Sequence, residues 1–217
     1  TISTITGFFL LIFGIKDFTV LITLLSAEMV LLVTLREFFL GGKVQKNISD
    51  QPLFQSIFKL FETNQHRYGG YLVHIGVALI AIAIICSYAF QTQTRQTMTP
   101  GESFNISGYQ IKYEKLFESK PGVNGVSKEI LAKVEIDGEK LIYPGQRLFT
   151  NFPNQPVAIV AIDGNPLRDV YVFLQGWTDE GTIELHVFVN PLIQLLWFGG
   201  AIYVIGAILA YTPSNRS

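Results

Sequence analysis

The sequence predicts an α-helical integral membrane protein with an inserted extracytoplasmic all-β domain, a small antiparallel barrel or sandwich. Two observations predict it. Charged residues make up only 15% of the 217, against about 25% in a typical soluble domain, and the mean hydropathy is +0.35. The deficit is uneven. Charge is sparse before Leu40, almost absent over 69–90 and absent over 191–210, yet ordinary between 91 and 190. The second observation is a change of rhythm. From Thr99 onward apolar residues alternate with a period of two, and turn dipeptides recur.

A helix needs about 20 apolar residues to cross the hydrocarbon core. Residues 1–15 are apolar but short and are predicted to be the end of a truncated transmembrane helix. The first residue is Thr1 and no basic region precedes the apolar stretch, so the chain is expected to be part of something longer. Lys16 and Asp17 mark a tight turn back into the membrane. Residues 19–40 form the first complete span, in which Glu28 is an intramembrane acid that needs a partner or a cavity. Residues 41–68 form a cytoplasmic loop containing an amphipathic helix at 51–63. There Leu53, Phe54, Ile57, Phe58 and Phe61 recur at helical spacing, with Gln51, Gln55, Lys59 and Glu62 between them. Such a helix lies on the inner membrane face or packs against other loops.

Residues 69–90 form the next span, 191–211 the last, and 212–217 a cytoplasmic tail. Lys and Arg near span ends set orientation. Arg36, Lys43, Lys46, Lys59 and Arg67 share one side with Arg216, which is predicted to be cytoplasmic. Residues 91–190 then face outward, on the non-cytoplasmic side.

In the β domain, turns are predicted at Pro100-Gly101, Ser107-Gly108, Pro121-Gly122, Asn124-Gly125, Asp137-Gly138, Pro144-Gly145 and Asp163-Gly164. Strands are predicted over 109–117, 128–136, 139–143, 158–162, 169–175 and 182–189. Asp137-Gly138 between Lys133-Val134-Glu135-Ile136 and Glu139-Lys140-Leu141-Ile142 is a hairpin signal.

Several classes of function are excluded. The formal net charge is -1, with no clustered basic face of the kind nucleic acid requires. Cys86 is the one cysteine, so no internal disulfide or Cys-pair metal site can form. No catalytic constellation is visible. Asp163, Asp169, Asp179 and Glu180 are dispersed and are expected in turns and on solvated faces, and His186 at a surface or an interface.

His74 is the informative residue. It lies about one turn into the 69–90 span, where an ionisable side chain is a functional candidate and neutral imidazole is a common metal and haem-iron ligand. Gly70, His74, Val77, Ala78 and Ala81 share one helical face, small enough for a flat cofactor or another helix to approach. Tyr71 is one turn before His74 and could close over a cofactor edge. Arg67 is two turns before it, about 10 Å along the axis, where it could pair with a propionate or with lipid phosphate. From the residues alone, metal ligation by His74 and a hydrogen bond to a neighbouring helix both stay open.

The order of these elements resembles the carboxy-terminal portion of the CcmF family, cytochrome c-type biogenesis proteins that act as haem lyases. Arg67-Tyr68-Gly69-Gly70-Tyr71-Leu72-Val73-His74 is similar to the family's span entry, and Pro100-Gly101-Glu102-Ser103 to the opening of its outer domain. Tyr143-Pro144-Gly145-Gln146-Arg147 and Asp169-Val170-Tyr171-Val172 match segments within that domain. Asn190-Pro191-Leu192 with Trp197-Phe198-Gly199-Gly200 resembles its last span, and Arg36-Glu37-Phe38 the end of an earlier one.

The resemblance implies covalent attachment of haem to the Cys-x-x-Cys-His thiols of apocytochrome c. It also implies a noncovalent haem b held between two histidines in the membrane, with His74 as one axial ligand. Implied partners are the rest of the haem lyase chain, a haem chaperone, apocytochrome c and thiol-reducing assembly subunits, along with membrane lipid. The family's tryptophan-rich segment, its two outward histidines and its other membrane histidine have no counterpart here, and Trp177 and Trp197 form no such segment. The substrate haem is therefore expected to be handled by residues outside this sequence, which is not expected to be active alone. A noncatalytic membrane receptor or assembly scaffold is the alternative.

Overall fold

The computed structural model describes residues 2–12, 14–49, 52–119 and 125–212. The turn predicted at Pro121-Gly122, the residue Asn124, the helix start at Gln51 and the tail with Arg216 lie outside the described residues. The chain divides into a helical unit and a β unit over Phe90–Pro191.

The helical unit contains α1 (Ile2–Ile12), α2 (Phe18–Ser49), α3 (Leu53–Ala89) and α4 (Gln194–Tyr211). Among the described residues three helices are long and apolar enough to cross a membrane, within Phe18–Ile48, Gln55–Ala89 and Gln194–Tyr211. Asp17 starts α2: its carboxylate accepts hydrogen bonds from the backbone N–H groups of Thr19 (2.8 Å) and Val20 (3.1 Å), satisfying donors that a helix start leaves open. Glu28 finds its partner in α1, where the Thr6 hydroxyl donates to Oε1 at 2.8 Å.

The loop predicted from residue 41 is helical instead. α2 runs through Gly41-Gly42 to Ser49. Gly41 is there for space, because a Cβ would collide with the Tyr68 hydroxyl of α3. A glycine can sit in a helix when packing recovers the propensity it loses.

α3 joins the amphipathic segment to the following span, with a break at Asn64 (φ -152°, ψ 68°). The Asn64 side chain accepts the Arg67 N–H at 3.4 Å. Before the break, Leu60 is buried with Phe38 of α2 and Tyr68, and Ile57 and Phe61 pack against them. Phe58 remains exposed. The side chains of Leu53 and Phe54 lie outside the described ones.

Glycines also set the contact between α3 and α4. A Cβ on Gly76 would sit 2.7 Å from the Gly199 carbonyl oxygen, and one on Gly206 would sit 2.8 Å from that of Gly69. The two pairs, Gly69 with Gly206 and Gly76 with Gly199, are seven residues apart on each helix. Removing Cβ at two levels lets the backbones approach, the membrane route to packing when water gives no drive.

The β unit is a sandwich of two antiparallel sheets. One has the order β1 (Thr92–Met98), β10 (Ile183–Pro191), β9 (Arg168–Trp177), β8 (Ala161–Gly164). The other runs β2 (Ser103–Ile106), β3 (Tyr109–Ser119), β4 (Val126–Ile136), β6 (Gly145–Phe149), β7 (Phe152–Ile159), with β5 (Lys140–Ile142) also on β4. The core follows the two-residue alternation of strands. Val170, Val172 and Leu174 of β9 and Leu185, Val187 and Val189 of β10 meet Ile111 and Tyr113 of β3 and Ala132, Val134 and Ile136 of β4. The Tyr113 hydroxyl, carried into this core, donates to the Gly181 carbonyl at 2.8 Å.

Asp137 (φ 52°) and Gly138 (φ 70°) turn the β4–β5 hairpin, as the Asp-Gly signal predicts. The strand predicted over 158–162 is divided between the two sheets. β7 ends at Ile159 paired with Gly145, and β8 begins at Ala161 paired with Val172, so the chain changes sheets at Val160. β1, β2 and β6 were not predicted. Thr-Gln-Thr-Arg-Gln-Thr-Met of β1 carries almost no apolar alternation. It is an edge strand held by its ladder to β10.

Asp169 is not on a solvated face, and His186, expected at a surface or an interface, is not at the surface. Asp169 is buried, 3% exposed, and His186 is 9% exposed. Both lie on strands whose neighbours cover them: His186 Nε2 is 3.1 Å from Gln93 Oε1 of β1 and its ring lies 4.0 Å from that of Phe188.

Candidate functional site

α2 and α3 enclose a groove of about 510 Å³ whose walls are almost wholly apolar. His74 lines it together with Val77, Ala78 and Ala81 of α3 and Ala27 and Val30 of α2. Of the face predicted from Gly70, His74, Val77, Ala78 and Ala81, the last four residues line this groove and Gly70 does not. Thr23 and Ser26 add hydroxyls from α2.

The histidine is oriented by its own helix. His74 Nδ1 lies 2.7 Å from the carbonyl oxygen of Gly70. A carbonyl only accepts, so Nδ1 carries the proton. In the neutral ring this leaves the Nε2 lone pair available, and among the described residues Nε2 has no hydrogen-bond partner. A backbone contact to one ring nitrogen is the usual device that fixes a metal-ligating histidine. A Cβ on Gly70 would meet nothing within 4 Å. Unlike Gly69 and Gly76, Gly70 is not needed for packing among the described residues.

Arg67 and Tyr71 are brought together, but not into the groove. Arg67 Nη2 pairs with Glu37 Oε2 of α2 at 2.8 Å, and Arg67 Nε donates to the Tyr71 hydroxyl at 2.9 Å. Tyr71 also packs edge-on to Phe38 and Tyr68, with ring centroids 5.8 and 5.7 Å apart. This cluster ties α3 to α2 at Glu37 and Phe38. Glu37 was not singled out from the sequence as a partner, since a charged residue 30 positions away carries no local periodic signal.

Two acids of the β unit are held in ion pairs. Asp163 accepts from Lys140 Nζ at 2.6 Å, and Glu129 from Arg147 Nε at 2.6 Å. Among the described residues no three His, Cys, Asp or Glu side chains cluster as a metal site would require. A single axial histidine supplemented from outside the chain does not need such a cluster.

Residues 89–191 match the family model described as the CcmF C-terminal beta-sandwich. The chain is also similar to the cytochrome c-type biogenesis protein CcmF of Pseudomonas fluorescens, 29% identical over 203 residues, covering 91% of this chain and 29% of that protein. These matches support membership of the CcmF family. The chain corresponds to the carboxy-terminal portion, as its motifs predict. The cytochrome c-type biogenesis protein CycK of Bradyrhizobium diazoefficiens is 25% identical over 163 residues, covering 73% of this chain and 24% of that protein. A solved structure titled cytochrome c heme lyase CcmF aligns with a TM-score of 0.63 at 21% identity, covering 84% of this chain and 34% of that one. That likeness establishes the CcmF fold. The chain spans less than a third of the length of these curated relatives.

Proposed function

We propose that this chain is the membrane-haem and β-sandwich part of a cytochrome c haem lyase, with His74 as one axial ligand of a noncovalent haem b. The observation that carries the proposal is the Nδ1 contact of His74 to Gly70 O at 2.7 Å beside an apolar groove. It leaves the protonated nitrogen pinned and the ligating nitrogen free. The residues present suit the group. Val77, Ala78 and Ala81 offer a flat apolar wall, and Gly70 keeps the helix surface open beside the ring. When bound, haem b supplies reversible one-electron chemistry, with its potential set by the axial ligand and by burial.

This chain's own residues do three things. His74 presents Nε2 in a fixed tautomer. The apolar walls of the groove offer hydrocarbon contact beside the ring, which is itself exposed in this chain. Arg67, held by Glu37 and Tyr71, places a cation two turns before His74, where a propionate or a lipid phosphate could pair with it. The second axial ligand and the handling of the substrate haem belong to residues outside this sequence.

The proposed topology sets the 19–40, 69–90 and 191–211 segments across a bacterial or organelle inner membrane, with 91–190 outside. There the β-sandwich would border the site where apocytochrome c and the haem chaperone meet the lyase and its thiol-reducing partners.

The test uses the full parent protein, or its complete complex, purified from membranes. Oxidised and reduced spectra are recorded for wild type and His74→Ala at matched protein levels. A low-spin b-type spectrum lost or turned high-spin in His74→Ala supports the assignment. Identical spectra, or no haem in either protein, would make His74 a packing residue and favour the scaffold alternative.

A further inference from the structure

We infer that the β unit carries a site for the phosphate of an anionic phospholipid headgroup, with Arg168 as its cation. This site is separate from the His74 groove and does not rest on the haem assignment. A pocket of about 350 Å³ is lined by Phe90, Thr92, Ser107, Arg168, Val189 and Pro191. Strand register explains why these residues meet. Thr92 pairs with Val189, and Pro191 pairs with Arg168. The β2–β3 turn joins them through Ser107, whose carbonyl accepts from Arg168 Nη1 at 3.0 Å.

The side-chain contact of Arg168 is to a carbonyl oxygen rather than a carboxylate. Among the described residues no carboxylate lies within ion-pair distance of it. The Asp163 carboxylate accepts from Lys140 Nζ, as described above. Guanidinium presents five N–H donors in a rigid fork suited to phosphate. One of its nitrogens serves Ser107, and donors remain for an oxyanion.

Chain connectivity and exposed apolar surface point to lipid as the source of that oxyanion. Phe90 directly follows Ala89, the last residue of α3, and Pro191 lies three positions before Gln194, the first of α4. Two membrane-crossing helices therefore connect within a few residues of the pocket, and span ends are where headgroup phosphates lie. Phe90 is half exposed, and Leu167, beside Arg168, is 67% exposed. Apolar side chains flanking a cation suit the boundary between headgroup and acyl chain, where a basic head meets phosphate and an apolar body meets hydrocarbon. A free phosphate would use the cation but leave these side chains bare to water.

The full chain is reconstituted in nanodiscs of phosphatidylcholine containing a minority of phosphatidylglycerol. The lipid that stays bound is counted by native mass spectrometry after mild release. Wild type should retain phosphatidylglycerol in preference to phosphatidylcholine. Arg168→Gln should retain about fivefold less, the effect of one interfacial cation near an anionic surface. Arg95→Gln, an exposed arginine on β1, should retain as much as wild type. Circular dichroism checks the fold of each variant. Should Arg168→Gln fail to fold, Leu167→Ser decides, because it removes the apolar contact and spares the cation; it should lower retention, and unchanged retention would overturn the site. Equal retention in wild type and Arg168→Gln overturns the assignment. So does displacement of the lipid by millimolar glycerol phosphate, which would make this a site for a free phosphate.

Discussion

The imidazole of His74 is held by the carbonyl of Gly70, one turn earlier on the same helix, at 2.7 Å. A ligand positioned by its own helix keeps its orientation when neighbouring elements move. Gly70 also leaves open space where a side chain would stand. Gly70→Leu should therefore leave the folded yield and thermal stability of the chain nearly unchanged, while haem content per protein falls by half or more. A pyridine haemochrome assay set against protein concentration measures the first quantity, and a melting curve the second. Full haem content in Gly70→Leu would count against the proposed haem site on this face.

Gly76 gives the contrasting case. Its Cβ would meet the Gly199 carbonyl oxygen and the Tyr203 nitrogen, both at 2.7 Å, and backbone cannot swing aside as a flexible side chain can. Gly76→Ala should lower stability by about 1–3 kcal/mol, the usual range for overpacking. Unfolding by titrated SDS, followed by tryptophan fluorescence, reads the change. The matched Gly70→Ala should unfold close to wild type.

His186 predicts a pH dependence. Burial, then the Arg95 charge across the β1–β10 ladder, hold its pKa below the ordinary 6.5, with Glu184 opposing. The unfolded chain then binds the proton more readily than the folded one, so stability contributed here is present above about pH 6.5. It is lost as pH falls through the folded value. The β unit should melt at a lower temperature at pH 5 than at pH 7.5. His186→Gln should flatten that difference, and an unchanged pH profile in His186→Gln would remove this account of it.

The sandwich core can be tested at two depths. Leu185 is fully buried, so Leu185→Ala should cost about 2–5 kcal/mol through lost burial and the cavity left behind. Tyr113→Phe keeps the ring in the core but removes the donor to the Gly181 carbonyl. It should cost about 1 kcal/mol, the net value of one such bond. Denaturant titration of both variants checks the order, and a larger loss for Tyr113→Phe would contradict it.

What could be read from the sequence was whatever physics writes locally. Twenty apolar residues in a row are a span wherever they occur, because an unpaired backbone in hydrocarbon is too costly. The two-residue alternation of Lys128 to Ile136 marks a half-buried strand, and Asp137-Gly138 marks its turn. His74 stood out because an ionisable residue is rare within an apolar run. Among the strands that escaped notice, Thr92–Met98 and Gly145–Phe149 have little alternation of their own. They are strands because β10 and β4 pair with them, and a ladder between distant segments leaves no mark in either one.

The sequence by itself determined the membrane class, the inserted β domain, the candidate ligand and the family resemblance, since each rests on residue type and short-range spacing. Tertiary structure decided which glycine makes room for what. Gly41 admits Tyr68, Gly69 and Gly76 admit α4, and Gly70 admits nothing among the described residues. It also decided that Arg67 and Tyr71 meet Glu37 rather than the groove, and that Asp169 and His186 are covered rather than exposed. These are long-range outcomes. They depend on which surfaces the fold brings within a few ångströms, and no period along one helix or strand encodes that.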